Sequence, residues 1–326
     1  MKQLEQISHP ERYHGRHKKP PFFEGWYYKL VDAAVQHRCA VIPGVFLGPA
    51  PEAGHCFVQV FDGVSGRATY HRYPLHEFQA AQGAFDVRIG SNHFGRDHLY
   101  LDIQDDQGAI TGDLNFEGLT PWPVTLASPG AMGWYAWAPW MQCYHGVLSF
   151  DHAIHGKWAV NGQTVDWEGG RGYMEKDWGR AFPLGWVWMQ SNHFEQPGTS
   201  LMVSAAHVPW LGRSFPGFTI GLWHERRLYR FATYTGARIE RLQADAQRVS
   251  LIVSDWRHRL EVNARRASPT LLAGPSESAM NVRVPETMDA VLNVHLETTQ
   301  QSTPIFSGTG RYAGLEVAGQ WERLQR

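Results

Sequence analysis

The chain has 326 residues, of which 43% are hydrophobic and 19% charged, enough apolar material for a packed interior and more length than one core usually fills. Its formal net charge is -1, so there is no basic excess of the kind that draws nucleic acid or an anionic membrane. Three cysteines, Cys39, Cys56 and Cys143, are odd in number and widely spaced, which argues against a disulfide framework and against a C-x-x-C zinc site.

The first twenty residues are polar and lack the apolar core of a signal peptide, and no later run approaches the roughly 18 apolar residues of a spanning helix. The expectation is a cytoplasmic protein without stable membrane insertion. The basic cluster Arg12 to Lys19 reads as a solvated, flexible N-terminal arm covering residues 1–20.

From Phe22 onward the pattern is β. Phe22, Glu24, Trp26 and Tyr28 share one face of a first strand by the period of two. A turn and a second strand lead to Pro43-Gly44-Val45-Phe46-Leu47-Gly48. Phe57 to Phe61, Leu99 to Ile103 and Ser250 to Val253 are short, rich in β-branched and aromatic residues, and bounded by turn formers. Asp105-Asp106-Gln107-Gly108 and Asn161-Gly162 read as hairpin turns. Met288 to Leu292 is the one segment that suggests a short helical turn.

The stretch GGRGYMEKDWGRAFPLGWVWMQSNHF, Gly169 to Phe194, is unusual because Glu175, Lys176 and Asp177 stand in consecutive positions of a strand. Alternation places Tyr173, Glu175 and Asp177 on one face and Met174, Lys176 and Trp178 on the other. After Phe182-Pro183, the side chains of Trp186, Trp188, Gln190 and Asn192 share a face of the next strand. If closing and opening strands are neighbours, these faces would line one aromatic pocket with carboxylates in its wall.

Two openings, Gly25-Trp26-Tyr27-Tyr28 and Gly185-Trp186-Val187-Trp188, lie about half a chain apart. The closing segments also correspond: Gly170-Arg171-Gly172-Tyr173 with Glu175 is echoed by Gly308-Thr309-Gly310-Arg311-Tyr312 with Glu316. The reading is an internal duplication into two antiparallel β domains, 1–182 and 183–326, with Trp26 matched to Trp186 and Tyr173 to Tyr312. Glu316 is expected to be exposed or to cap a bend.

The chemistry open to such a face is acid catalysis. Carboxyls at positions 175 and 177 would have Cα atoms roughly 6.5 Å apart, close enough for one to disfavour ionising the other, and burial raises a carboxyl pKa. Aromatic rings would stabilise a carbocation by about 1–2 kcal/mol each in a dry site. The alternatives are structural. Glu175, Lys176 and Asp177 also fit an ion-pair cluster at the domain junction, Glu24 a carboxylate capping a turn amide, and the tryptophans a core. His145 is either a general base or a core histidine. No H-E-x-x-H, His-Cys-Cys set or carboxylate cage suggests a metal, and G-x-S-x-G, P-loop and dinucleotide patterns are missing. A cofactor-free pocket is what remains.

The segments FFEGWYYKL (Phe22 to Leu30), PWP (Pro121 to Pro123), MQCYHGV (Met141 to Val147), the EKDWG/FP/W-x-W-x-Q-x-N run and GTGRYAGLEVAG (Gly308 to Gly319) resemble the tocopherol cyclase family, in its order from residue 20 onward. The resemblance implies an all-β chain of two lipocalin-like antiparallel barrels or half-barrels, related to the carotenoid hydratase and lipocalin-like cyclase group. It also implies chemistry without a cofactor, in which an acid protonates the alkene of a prenylated hydroquinone and the phenol oxygen captures the cation. Glu175, Asp177, Glu24 and His145 are the catalytic candidates, and Trp26, Tyr28, Tyr173, Trp178, Trp186, Trp188, Gln190 and Asn192 the candidates for contacting a small apolar or prenylated aromatic molecule. A noncatalytic carrier of such a ligand and a glycan-binding β protein are the competing readings; the first needs no carboxyl in an enclosed cavity wall and the second needs exposed tryptophans.

Overall fold

A computed structural model describes residues 7–325. Contacts divide the chain into two units, Met1–Phe182 with Leu272–Arg283 and Pro183–Leu271 with Val284–Arg326. The first boundary between them lies at 182/183, and the short segment Leu272–Arg283 belongs with the first unit. Gln59 explains this: its Oε1 accepts from the Ala273 amide at 2.8 Å and its Nε2 donates to the Ala273 carbonyl at 3.4 Å. The Phe182 amide also donates to the Pro275 carbonyl at 3.1 Å.

The first unit contains β1 (Phe22–Val31), β2 (Arg38–Leu47), β3 (His55–Asp62), β4 (Arg67–Tyr73), β5 (Phe78–Ala80), β6 (Asp86–Ile89), β7 (Asn92–Gly95), β8 (His98–Asp105), β9 (Gly108–Glu117), β10 (Cys143–Val160), β11 (Gln163–Asp166) and β12 (Gly170–Gly179). The hydrogen-bonded path runs β4-β3-β2-β1-β12-β10-β9-β8-β7-β6-β5. Val58 and Val60 of β3 meet Val87 and Ile89 of β6 in one apolar cluster although the two strands lie near opposite ends of that path. The sheet must therefore curl about its core, as strand twist allows.

Further along the chain come β13 (Gly185–Ser191), β14 (Ser200–Trp210), β15 (Arg213–His224), β16 (Arg227–Ala232), β17 (Arg238–Ala244), β18 (Arg248–Ser254), β19 (His258–Arg265), β20 (Thr270–Gly274), β21 (Val282–Thr298) and β22 (Pro304–Gly319). Here the path is β16-β15-β14-β13-β22-β21-β19-β18-β17. Phe231 of β16 and Leu242 of β17, from its two ends, share a cluster. In both sheets the opening strand, β1 or β13, pairs antiparallel with the closing strand, β12 or β22.

Local signals are mostly realised. Asp105 pairs with Gly108 across the β8–β9 turn, and Asn161 and Gly162 adopt φ of 50° and 83° between β10 and β11. Met288 to Leu292 is a correction: it lies inside β21, where the register with β22 shifts between Thr287 and Ala290 and again before Leu292. An extra residue in one strand disturbs the alternation, and the disturbed spacing mimics a helical period.

Candidate active site

The site grows out of the register between β1, β12 and β10. Trp26 pairs with Lys176, Glu24 with Trp178 and Tyr28 with Met174, whereas Gly25 pairs with Asp177 and Tyr27 with Glu175. On the other side of β12, His145 pairs with Asp177 and Val147 with Glu175. Directly paired residues project from the same face of an antiparallel sheet. One face thus carries Tyr173, Glu175, Asp177 and His145, and the opposite face carries Glu24, Trp26, Tyr28, Lys176 and Trp178.

On the first face four polar side chains form a chain. Tyr173 Oη donates to Glu175 Oε2. His145 Nε2 stands 3.7 Å from that same oxygen, and His145 Nδ1 donates to Asp177 Oδ1 at 3.0 Å. Tyr173 and Glu175 are buried, and Asp177 keeps 29% of its side chain exposed. Burial lowers the affinity of the His145 imidazole for a proton, but Glu175 and then Asp177 oppose it and raise the pKa to about 9. The two carboxylates thus favour the protonated ring over the neutral one. Burial first, and the neighbouring Glu175 second, push the Tyr173 phenol well above its usual range, so it stays a donor. His145, Glu175 and Asp177 also form a donor set able to hold a metal ion, their ligand atoms within 4.8 Å of one another. With Nδ1 spent on Asp177, only Nε2 of the ring faces Glu175, and it is buried without a hydrogen-bond partner.

The opposite face corrects several expectations. Lys176 is not paired with Glu175 or Asp177, which lie on the other side of the sheet; its Nζ bonds Glu24 Oε1, and both side chains are fully buried. The remaining donors of Lys176 reach the carbonyls of Pro10, at 2.9 Å, and Arg12. Glu24 in turn accepts the His14 amide with both oxygens at 2.9 Å. Burial pushes the Glu24 carboxyl up and the Lys176 ammonium down, and their mutual attraction and hydrogen bonds oppose both shifts. The arm is accordingly not loose over residues 10–15: the ion pair anchors its backbone.

Trp26 and Tyr28 do not share a face with Glu175 and Asp177. Trp26 stacks on Phe85 with centroids 5.4 Å apart and donates from Nε1 to the Glu11 carbonyl at 2.9 Å; Tyr28 donates to the Gly95 carbonyl at 2.8 Å. Both are core residues of the first unit. Trp178, half-buried, stacks on Tyr144 at 5.6 Å and meets His14 edge-on at 4.8 Å. These three rings, with His145 and Gly146, line a pocket of about 430 Å³ closed by the N-terminal arm and the segment 129–140.

In the second unit, Val187 and Met189 enter the core, so alternation turns Trp186, Trp188 and Gln190 to the other face of β13. Trp186 Nε1 donates to Glu316 Oε2 at 2.5 Å, which makes Glu316 a half-buried acceptor rather than an exposed or bend-capping residue. Glu316 pairs with Trp188 on one side and with the buried Glu286 on the other. Gly314 lies under Trp188, where a Cβ would come within 2.6 Å of the indole. Asn192 Oδ1 accepts from His193 Nδ1 at 3.0 Å. Trp26 points into its core and Trp186 away from its own, so the residue-to-residue match between them does not hold.

Sequence reasoning missed Tyr144, His14 and Glu286. Tyr144 lay inside the MQCYHGV segment and alternates with His145, a signal that was there to read. His14 lay in an arm dismissed as solvated, and Glu286 carried no local signal.

An all-β chain with a buried acid–imidazole chain on one sheet face is the class of protein these observations define. The tocopherol cyclase-like family pattern matches residues 104–319, and the chain belongs to that family. It is 26% identical over 221 residues to a probable chloroplastic tocopherol cyclase of Oryza sativa subsp. japonica, covering 60% of this chain and 44% of that protein. Over 209 residues it is 26% identical to the chloroplastic tocopherol cyclase of Zea mays, covering 57% and 41%. The chain therefore spans less than half the length of these relatives. Among solved structures, CghA with Sch210972 superposes with a TM-score of 0.56 at 11% identity, over 92% of this chain and 89% of that one. Kievitone hydratase from Nectria haematococca gives 0.51 at 12% identity, over 95% and 94%. These likenesses establish a shared fold.

Proposed function

We propose that the protein is a cofactor-free enzyme that closes a ring in, or hydrates, a prenylated quinol or related isoprenoid by acid catalysis. The observation that carries this reading is the buried His145 Nε2, facing Glu175 at 3.7 Å while Asp177 fixes the other ring nitrogen at 3.0 Å. Glu175 is the proton donor. Tyr173 holds its Oε2, and the proton reaches it from His145, which draws on the partly exposed Asp177. Transfer of that proton to the alkene leaves a tertiary cation and a Glu175 carboxylate. The phenol oxygen, or water for hydration, captures the cation, and its released proton returns to the His145–Glu175 pair, so no net proton is consumed. Trp178 lies on the opposite face of β12 from Glu175 and is not assigned to this step. The family membership supports this reading; no helix among the described residues is long and apolar enough to cross a membrane.

The test is turnover of a prenylated hydroquinone in deuterated water. The product should carry one deuterium on the former alkene, and Glu175→Gln should lower turnover by at least roughly 10² with little change in substrate affinity. Quantitative recovery of unaltered, bound substrate from the wild type would make the protein a carrier instead.

A further inference from the structure

From Gly118 to Tyr144 the sequence contains no Asp, Glu, Lys, Arg or His but four tryptophans. The segment is built rather than slack: Val124 bridges Pro129, Thr125 and Ser128 exchange backbone bonds at 3.2 Å, and Trp137 Nε1 donates to the Leu126 carbonyl at 3.2 Å. This scaffold holds large apolar side chains out in solvent, Leu126 at 65%, Trp134 at 51% and Trp140 at 76% exposed. A segment meant for the interior would bury them, and ordered exposure of several together marks an interaction surface. Beside it lies the N-terminal arm, since His17 and Lys18 share the 430 Å³ pocket with Ala136, Pro139 and Trp140. Arg16, His17, Lys18 and Lys19 are all exposed, and no carboxylate among the described residues lines that pocket.

We infer that this face is a docking surface for a lipid bilayer containing anionic phospholipid. Tryptophan and leucine enter the interfacial region, where an indole buries its body and keeps its N–H hydrated, and the basic arm meets the headgroups. Charge complementarity selects a bilayer over a second copy of the chain: the patch joins an uncharged apolar tip to a cationic rim and has, among the described residues, no acidic counterpart in its lining. His17, Lys18, Pro139 and Trp140 line both this face and the pocket that holds Trp178 and Tyr144, so a bilayer docked here would lie against the pocket's wall. The inference goes beyond the catalytic reading and is measured without any substrate.

The experiment is flotation of the full chain with vesicles of phosphatidylcholine alone and of phosphatidylcholine with phosphatidylglycerol. Binding is expected to be several-fold higher with phosphatidylglycerol and to weaken in high salt. Leu126→Ser with Trp134→Ser should lower it about tenfold or more, the scale set by removing two buried apolar side chains. Lys18→Glu with Lys19→Glu should abolish the preference for phosphatidylglycerol. Should the apolar double variant not fold, quenching of the wild-type tryptophan fluorescence by acyl-brominated lipid gives the same answer. A wild type that neither floats nor is quenched overturns the inference, as does a folded double variant that floats like the wild type. Self-association in sedimentation velocity that the double variant abolishes, without flotation, assigns the patch to a second copy and also overturns it.

Discussion

At the residue scale, the charged triplet divides its labour across the sheet: Glu175 and Asp177 serve one face and Lys176 the other. This follows from the period of two and was legible in the sequence. Which acid Lys176 would meet was not, because Glu24 is 152 positions away in the chain. The same buried pair gives a stability prediction. Lys176→Met leaves the Glu24 carboxylate without its cation in a site without water access, a change that costs about 3–5 kcal/mol, whereas adding Glu24→Leu should recover part of the loss. Urea unfolding of the single and double variants measures the coupling; equal destabilisation by both would show that the charges do not interact.

His145 supplies a pH dependence. Its folded-state pKa is raised, from 6.5 to about 9, because Glu175 and Asp177 outweigh burial. A raised value means that the folded form binds the proton more tightly, so the stabilisation is fully present below pH 6.5 and disappears as pH rises through about 9. The wild type should therefore lose stability between neutral pH and pH 9, and His145→Asn should show a flatter alkaline limb. Thermal unfolding across that range checks it, and parallel curves for the two proteins would remove the imidazolium from the cluster.

At the scale of elements, strands and their turns were readable because alternation and turn chemistry are local. Facing was not. The sequence showed that Trp26 and Tyr28 share a side and that Glu175 and Asp177 share a side, but only the pairing of Gly25 with Asp177 and of Trp26 with Lys176 reveals that these sides differ. A shift of one residue in register reverses every side chain, so two correct periodicities combined into one incorrect pocket. The arm failed for another reason: composition makes residues 10–15 look solvated, while their hydrogen bonds to Lys176 and Glu24 are made by backbone groups that composition does not report. The strap from Gly118 to Tyr144 is the converse case, an apolar sequence that a core would have claimed, of which the fold buries Trp122, Ala131, Met141 and Cys143 but leaves Leu126, Trp134 and Trp140 outside.

At the scale of the whole molecule, the two sheets repeat one plan, in which an opening strand pairs with the closing strand and hairpins extend from both. That shared order is what a duplicated domain would leave, although the residue matches drawn from the openings do not survive the difference in facing. The chain does not divide into two uninterrupted halves, because Leu272–Arg283 returns to the first unit. Gln59 is the side chain that fastens it, through two hydrogen bonds to the backbone of Ala273, and Met280 packs beside Phe23, Phe46 and Cys143. Gln59→Ala removes both bonds and leaves the β3 ladder intact, at a cost of about 1–3 kcal/mol for the backbone groups left without partners. Amide exchange in residues 272–283 should then accelerate selectively while β18 and β19, buried in the second unit's core, keep their protection. Uniform acceleration through the second unit would mean that the segment is held by its own neighbours in sequence, and unchanged exchange at 272–283 would mean that Gln59 does not hold it.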